Sequence, residues 1–416
     1  MRIELSKNHL WVFPAKLLCI VLSIIFFISQ EGWAQSCSAN VSIKGENDYA
    51  WRVAQWLGLG WNLGNQLDAI MDGKSNETVW GNQPVTQRTF DRLAAAGFTS
   101  VRIPVTWMGH IGSAPEYQLD EAWLSRVEEV VGYAENAGLN AIINTHHDDS
   151  YWLSIKAAAQ SEEENEKIMS QFKAVWTQIA LRFRDKGHFL LFESMNEVHD
   201  GGWGWGDNRK DGGRQYAILN EWNQLFVNVV RATGGKNADR YLCVPGYVTN
   251  IELTLQNFVL PKDVVSDRLL VSVHCYDPMG YTLDNKYTEW GHTADPLKKN
   301  SGDNEEQIVR QFKALKEHFV EKGIPVYIGE MGCVRRSTDK EEAFRKYYLE
   351  YFYKAARVNG LASFYWDNGG QELCLFNHST GDWQPDAFDA VEAMKKGFLT
   401  DDSSYTLQTV YDNAPR

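Results

Sequence analysis

FLLFESMN, Phe189 to Asn196, is an apolar run with a carboxylate inside it, followed at once by Glu197. Short, rich in β-formers and apolar on both faces, it reads as a strand buried in a parallel sheet. A carboxylate in such a place is costly unless it is paired or put to use. Period-two geometry puts Glu193, Met195 and Glu197 on one face, pointing into a barrel with Glu197 at the rim. Asn196 then points the other way or over the rim. Glu193, two residues deeper, needs a partner, and Arg102 or an internal water is expected to supply it.

Working outward, seven further runs of the same kind alternate with helical patterns. They are LGLGWNLG (57–64), TSVRIPV (99–105), NAIINTH (140–146), YLCVPGY (241–247), LLVSVHCY (269–276), PVYIGEM (325–331) and ASFYWDN (362–368). Between them lie amphipathic segments such as EAWLSRVEEVVGYAENAG and EEQIVRQFKALKEHFVEKG, several ending in Ala-Gly, Lys-Gly or Asn-Gly before the next strand. A glycine there suits the left-handed position that stops a helix. Alternation of strand and helix argues for a parallel sheet covered by helices, and eight strands is the number that closes a small barrel. The fold expected is α/β, a single (β/α)8 TIM barrel over residues 35–416, with a short C-terminal extension on its exterior.

Residues 1–34 stand apart. Arg2, Lys7 and Lys16 precede the apolar run LLCIVLSIIFFIS, which ends near Gly32-Trp33-Ala34. That pattern is a secretory signal peptide with cleavage expected after Ala34, so the mature chain is expected to be exported. Cys37 after Ala-Gln-Ser resembles a lipoprotein box lacking its usual Leu, which leaves a lipid-anchored surface form open. No later segment is long enough to span a bilayer.

The 38 basic and 52 acidic residues of 35–416 give a net charge of −14, the wrong balance for a nucleic-acid binder. Five scattered cysteines without C-x-x-C indicate neither a disulfide framework nor structural zinc. Oligomeric state leaves no signal, and a monomer is the default. The 16 tryptophans are the outlier; many sit beside Gly, Asn or Asp, where an indole can stack on the flat apolar face of a sugar. The loop DGGWGWGDNRKDGG (200–213) is either a flexible solvated loop or a carrier of two such rings.

A barrel of this kind places its active site at the C-terminal ends of the strands. There the sequence offers Asn62 and Asn65, Arg102, His146 and His147, Asn196 and Glu197, His274 and Tyr276, Glu330, then Trp366 with Asp367. Each alone has a structural explanation, but seven of eight strand ends together point to a site. Glu197 and Glu330 lie on strands four and seven, which roughly face one another across the barrel. Paired carboxyls are the working parts of glycoside hydrolysis, and their separation sets the stereochemistry, which sequence does not give. Arg102 and Tyr276 are suited to keep a nucleophilic carboxylate ionised. No G-x-G-x-x-G, H-E-x-x-H or G-x-S-x-G motif is present, so no metal or other cofactor is expected.

The blocks GWNLGNQLDA, FTSVRIPVTW, NTHHD, FESMNEVHD, VHCYDP, YIGEMG and FYWDNG, in order from about residue 56 to about 370, resemble the cellulase-type glycoside hydrolase family 5, and most closely its subfamily 4. The resemblance implies an endo-acting β-1,4-glucanase that works by retaining double displacement on polysaccharides such as xyloglucan, mixed-linkage glucan and cellulose-type chains. It implies Glu197 as general acid/base and Glu330 as nucleophile. It further implies Arg102, His146, Asn196, His274 and Tyr276 as their neighbours, Trp366 as a sugar platform, and His147, Asn62, Trp107, Trp203 and Trp205 as cleft residues. Val198 departs from the family pattern, where many relatives place Pro. A β-mannanase or xylanase of the same clan, or a barrel that binds polysaccharide without turnover, are the alternatives.

Overall fold

Eight parallel strands close on themselves in the computed structural model, which describes residues 48–302, 304–370 and 372–416. The leader-like residues 1–34 and Cys37 lie outside the described residues. The strands are β1 (Leu59–Leu63), β2 (Ser100–Ile103), β3 (Asn140–Ile143), β4 (Leu190–Glu193), β5 (Leu242–Asn250), β6 (Leu269–His274), β7 (Val326–Met331) and β8 (Leu361–Asp367). Each pairs with its neighbours in sequence, and β8 returns to β1 in register from Leu59 opposite Ser363 to Leu63 opposite Asp367.

Helices α1 (Gln87–Ala96), α2 (Glu121–Asn136), α3 (Glu162–Arg182), α4 (Arg214–Ala232), α5 (Ile251–Asn257), α6 (Glu305–His318) and α7 (Asp339–Val358) link successive strands, and α8 (Ala387–Leu399) follows β8. Their ends obey local chemistry. Ser161 accepts the Glu164 N–H at the start of α3, where three glutamates face the helix's positive end. Gly97 closes α1 at φ 96°, a backbone state a side chain rarely adopts. The C-terminal extension lies against α7, with the Tyr405 hydroxyl on Glu350 and Leu407–Asp412 forming a last short helix.

Two apolar layers hold this together. Outward strand residues such as Trp61, Ile103, Ile143, Phe192 and Val271 are buried with helix residues such as Phe90, Val127, Trp176, Phe226 and Phe352. Each side chain of this size contributes about 1.5–3 kcal/mol on full burial. Inside the barrel, Ile142, Leu191, Leu270, Tyr327 and Phe364 pack with Val53, Ala54 and Leu57 of the helix Asp48–Leu57. That helix sits at the strand starts, where its last carbonyls accept from Ser100 and Asn140. One end of the barrel is therefore plugged with hydrocarbon, and polar side chains concentrate at the other.

Period-two reasoning fails at two positions. β4 ends at Glu193, so the chain is free to turn: Met195 joins the outer apolar layer and Asn196 points inward, the reverse of the expectation. In β7 the register slips by one residue against both β6 and β8 at Gly329-Glu330. This bulge turns Glu330 inward although Tyr327, three residues earlier, also faces in.

Candidate active site

Arg102, wholly buried on β2, organises the floor of the polar end. Its Nε donates to Glu193 at 2.8 Å, Nη1 to Glu330 at 2.8 Å and Asn62 at 3.1 Å, and Nη2 to the Asn196 Oδ1 at 2.7 Å. Burial alone would lower its pKa, but the charges of Glu193 and Glu330 outweigh that and raise it. Glu193 has its partner: besides Arg102 it accepts from Asn144 (2.9 Å), Ser272 (2.8 Å) and the Tyr327 hydroxyl (2.6 Å). Burial pushes its pKa up, yet Arg102 and the hydroxyl donors pull it below the ordinary value. A carboxylate so saturated is a fixed counter-ion, without a free lone pair for chemistry.

Glu330 faces the cleft above Arg102, and its other oxygen accepts from the Tyr276 hydroxyl at 3.0 Å. Burial, then the Glu330 and Glu197 charges, raise Tyr276 far above its usual pKa, so it remains a donor. Glu197 accepts from His274 Nδ1 at 2.6 Å and from Thr249 Oγ1 at 3.3 Å. The buried Nε2 of His274 has no hydrogen-bond partner among the described residues, which suits a ring with its hydrogen on Nδ1. Oxygens of Glu197 and Glu330 and a nitrogen of His274 lie within 4.8 Å of one another. A closest approach of this order is compatible with the carboxyl separation of about 5–5.5 Å used with retention.

The two carboxyls are shifted in opposite directions from the ordinary carboxylate pKa. Glu330 is raised, chiefly by burial and further by Glu197, against the pull of His274 and Arg102. Glu197 is lowered, because the His274 hydrogen bond and nearby positive charge outweigh burial.

Beside the pair stands a flat wall. Trp366 at the end of β8 stacks on His146 with ring centres 5.7 Å apart and planes 8° from parallel. A Cβ at Gly64 would lie 2.6 Å from the Trp366 ring, so only glycine lets the indole settle there. Burial, and then the charges of His147 and Arg102, hold His146 well below its ordinary pKa and hence neutral. His147 is raised, the acidic groups of Asp68, Asp149 and Glu330 overcoming its burial. Trp80, partly exposed, tilts over His147 at 5.6 Å.

Two expectations need correcting. Trp107 is wholly buried, its indole N–H donating to the Asn144 carbonyl, so it offers no face to a sugar. Asn62 is likewise buried; its amide bridges Arg102 and the Gly329 carbonyl and steadies the floor without reaching the cleft. Trp203 and Trp205 lie apart from the floor, 61% and 79% exposed. Asn144, Thr249, Ser272, Tyr327 and Trp80 went unremarked in the sequence. Ser272 and Tyr327 had a usable signal, being lone polar groups inside apolar runs. Thr249 sits beyond the expected end of β5, and both it and Val248 take left-handed φ values of 50° and 48°. Such strain in β-branched residues is characteristic of functional sites.

Among the described residues, two groups of side chains have ligand-type atoms close enough to share a metal ion: Asp68 with His146 and His147, and Glu197 with His274 and Glu330. Their atoms already serve the protein. Asp68 accepts the N–H groups of Asn65 and Gln66, and the His146 Nδ1 meets Asn144.

The family model for Cellulase (glycosyl hydrolase family 5) matches residues 65–372. The chain belongs to this family. It is 37% identical over 381 residues to Endoglucanase A of Paenibacillus barcinonensis, covering 86% of this chain and 92% of that protein. Among solved structures, a GH5-4 broad specificity endoglucanase from Bacteroides salanitronis superposes with a TM-score of 0.84 at 60% identity, covering 85% of this chain and 96% of that one. A Bacteroides ovatus GH5 xyloglucanase in complex with a XXXG heptasaccharide gives 0.77 at 32% identity, covering 85% and 77%.

Proposed function

We propose that this glycoside hydrolase is an endo-acting β-1,4-glucanase that cleaves by retaining double displacement, with Glu330 as nucleophile and Glu197 as acid and then base. The observation carrying the reading is the unequal support of two adjacent carboxyls. Glu330 touches a permanent cation, Arg102, and the Tyr276 hydroxyl, whereas Glu197 is held only by an imidazole and the Thr249 hydroxyl.

In the open cleft the pKa directions run against these roles. A sugar filling the cleft excludes water from both groups, which favours one shared proton over two charges. Arg102 cannot lose its charge, so the anion settles on Glu330 and the proton on Glu197. Glu330 then attacks C1 while Glu197 protonates the departing oxygen. In the second step Glu197 takes a proton from water as it attacks C1 and frees Glu330. Asn196, oriented by Arg102, supplies its amide N–H to the sugar 2-hydroxyl, a contact that strengthens as positive charge builds at C1. Trp366 carries the sugar being cleaved.

Xyloglucan and mixed-linkage glucan are the preferred substrates proposed, on the strength of the broad-specificity and xyloglucanase neighbours and of a wall open enough to carry exposed Trp80. The enzyme needs no metal. The test is product release from xyloglucan, mixed-linkage glucan, carboxymethyl cellulose, glucomannan, mannan and xylan with chelator present. Rapid release of oligosaccharides from the glucans supports the reading; activity confined to mannan or xylan overturns the substrate, and a chelator-sensitive rate overturns metal independence. We also propose that the enzyme is exported, on the leader-like pattern of residues 1–34. N-terminal sequencing of the mature protein checks this, and an intact Met1 would refute it.

A further inference from the structure

The end of β5, beside Glu197, departs from regular strand geometry. Pro245 pairs with Ser272 of β6 and Asn250 with His274, so Gly246, Tyr247, Val248 and Thr249 stand opposite Val273 alone. Bulges re-aim side chains beside active sites. At the end of this one Val248 and Thr249 both take left-handed φ, 48° and 50°, which β-branched residues adopt only when their surroundings force it. The forcing contacts lie on both sides of the pair. The Val248 N–H donates at 3.2 Å to the carbonyl of Val198, the residue after Glu197. Asn250 caps α5 by accepting from the Leu253 N–H at 3.0 Å, and its carbonyl accepts from the Thr254 hydroxyl at 2.7 Å.

This strained turn delivers one group. Thr249 is wholly buried, so its hydroxyl serves the protein and not the sugar. Its Oγ1 lies 3.3 Å from the Glu197 Oε1 and 2.6 Å from the Val248 carbonyl. A hydroxyl has a single hydrogen and accepts as well as donates, so it serves one of these oxygens at a time. On Glu197 it meets the same oxygen to which His274 Nδ1 donates at 2.6 Å. Two donors on Oε1 leave Oε2 to carry a proton.

We propose that Thr249 is a positioning residue for the acid/base carboxyl: it reserves Oε1 of Glu197 for hydrogen bonds, keeps the transferable hydrogen on Oε2, and turns its own hydroxyl as the charge of Glu197 changes. The inference rests on the role of Glu197 proposed above. While Glu197 is an acid, the Thr249 hydrogen points to the Val248 carbonyl. As the proton passes from Oε2 to the departing oxygen, the hydroxyl swings to the new carboxylate, and it swings back when Glu197 takes a proton from water. Thr249 itself gives up no proton. A donor to the ionised form favours that form, so without the hydroxyl the carboxyl pair should keep its last proton to higher pH. The other charged or titratable groups acting on Glu197 are His274 and Tyr276 on β6 and just beyond it, Glu330 on β7, Arg102 on β2 and His199 in its own segment. None of them changes when only Thr249 is replaced.

The experiment measures kcat/KM on mixed-linkage glucan against pH for the full enzyme and for Thr249→Val, Thr249→Ala and Thr249→Ser. The basic limb reports the proton that the acid must keep. It should move up by about 0.5–1 pH unit in the Val and Ala variants and return in the Ser variant, which restores the hydroxyl. With a dinitrophenyl β-cellobioside, whose leaving group needs no proton, Glu197 acts only as base, and the acid limb of kcat should move the same way. Alanine lacks the β-branch that the left-handed turn opposes, so it keeps the test open should valine unfold the enzyme. A general loss of rate with both limbs unmoved, or a Ser variant that behaves like the Ala one, would assign Thr249 to the fold alone and overturn the proposal. Glu197→Ala tests the underlying reading separately. Azide should restore its turnover of the dinitrophenyl substrate by attacking C1 as the bond to Glu330 breaks, and no rescue would overturn the acid/base role itself.

Discussion

The floor around Arg102 and the loop around Asp200 are both polar networks, yet they face opposite problems. On the floor, Arg102 is wholly buried, and each of its three guanidinium nitrogens meets a carboxylate or amide. In the loop, one carboxylate gathers backbone N–H groups so that two apolar rings can be left in water. The floor uses polarity to fix the charge of the reacting groups. The loop uses it to fix shape, and the surface it exposes is the apolar one. Changes on the floor should therefore appear in kcat and stability, and changes in the loop in the handling of long substrates.

The largest effect expected is that of Glu330→Gln. The amide keeps the shape but cannot form the ester, so kcat on mixed-linkage glucan should drop by on the order of 10⁴-fold or more while the variant still binds glucan. Normal turnover would remove Glu330 from the role of nucleophile. Glu193→Gln tests the floor without touching the substrate. It leaves Arg102 short of a buried counter-ion, and stability should fall by about 3–5 kcal/mol in urea unfolding. A neutral result would show that Glu330 alone suffices for Arg102.

A pH effect comes from Asp148, buried at the end of the His146-His147 segment, where it accepts from the Trp107 N–H and the Trp152 indole. Burial lifts its pKa to about 7 against those donors. The folded state thus holds a proton that the unfolded chain releases near pH 4, so this residue's contribution to stability falls as pH rises from about 4 to about 7 and is constant above. In Asp148→Asn that fall, a few kcal/mol at most, should vanish; equal slopes in both proteins between pH 4 and 7 would contradict the assignment. Tyr276→Phe should be milder still. One hydrogen bond to a charged group is worth about 1.5–3 kcal/mol, or roughly a 10- to 150-fold loss of kcat with the fold intact.

How much of this could be read in the sequence divides along the same line. The barrel was legible because eight apolar runs alternate with helical patterns, and the strand ends were legible because barrels concentrate chemistry there. Glu193's need for a partner, Arg102 or an internal water, followed from the cost of a buried charge. What escaped was phase: Asn196 turns inward because β4 stops at Glu193, and Glu330 because of a bulge at Gly329, and neither event leaves a period-two trace. Trp107 and Asn62 were misplaced for a related reason, since residue type marks an indole or amide as useful but not which side of the wall it occupies. The loop left two readings open, slack or a carrier of indole rings. Its glycines look like slack, yet a Cβ at Gly206 would come within 2.3 Å of the Asp200 carboxylate.

That contact supplies the smallest and sharpest test. Alanine at Gly206 is opposed by this lack of space. The new methyl must displace the Asp200 oxygen that holds the Gly202 N–H, and the turn carrying Trp203 and Trp205 should loosen. Gly206→Ala should raise KM for long glucans by a few-fold, leave kcat near its normal value, and lower stability by about 1–2 kcal/mol. Because the two networks share no described partner, its effect on kcat/KM should add to that of Tyr276→Phe within about 0.5 kcal/mol in the double variant. Strong coupling would mean that the loop acts on Glu330 through the bound sugar, and the separation of charge control from shape control would fail.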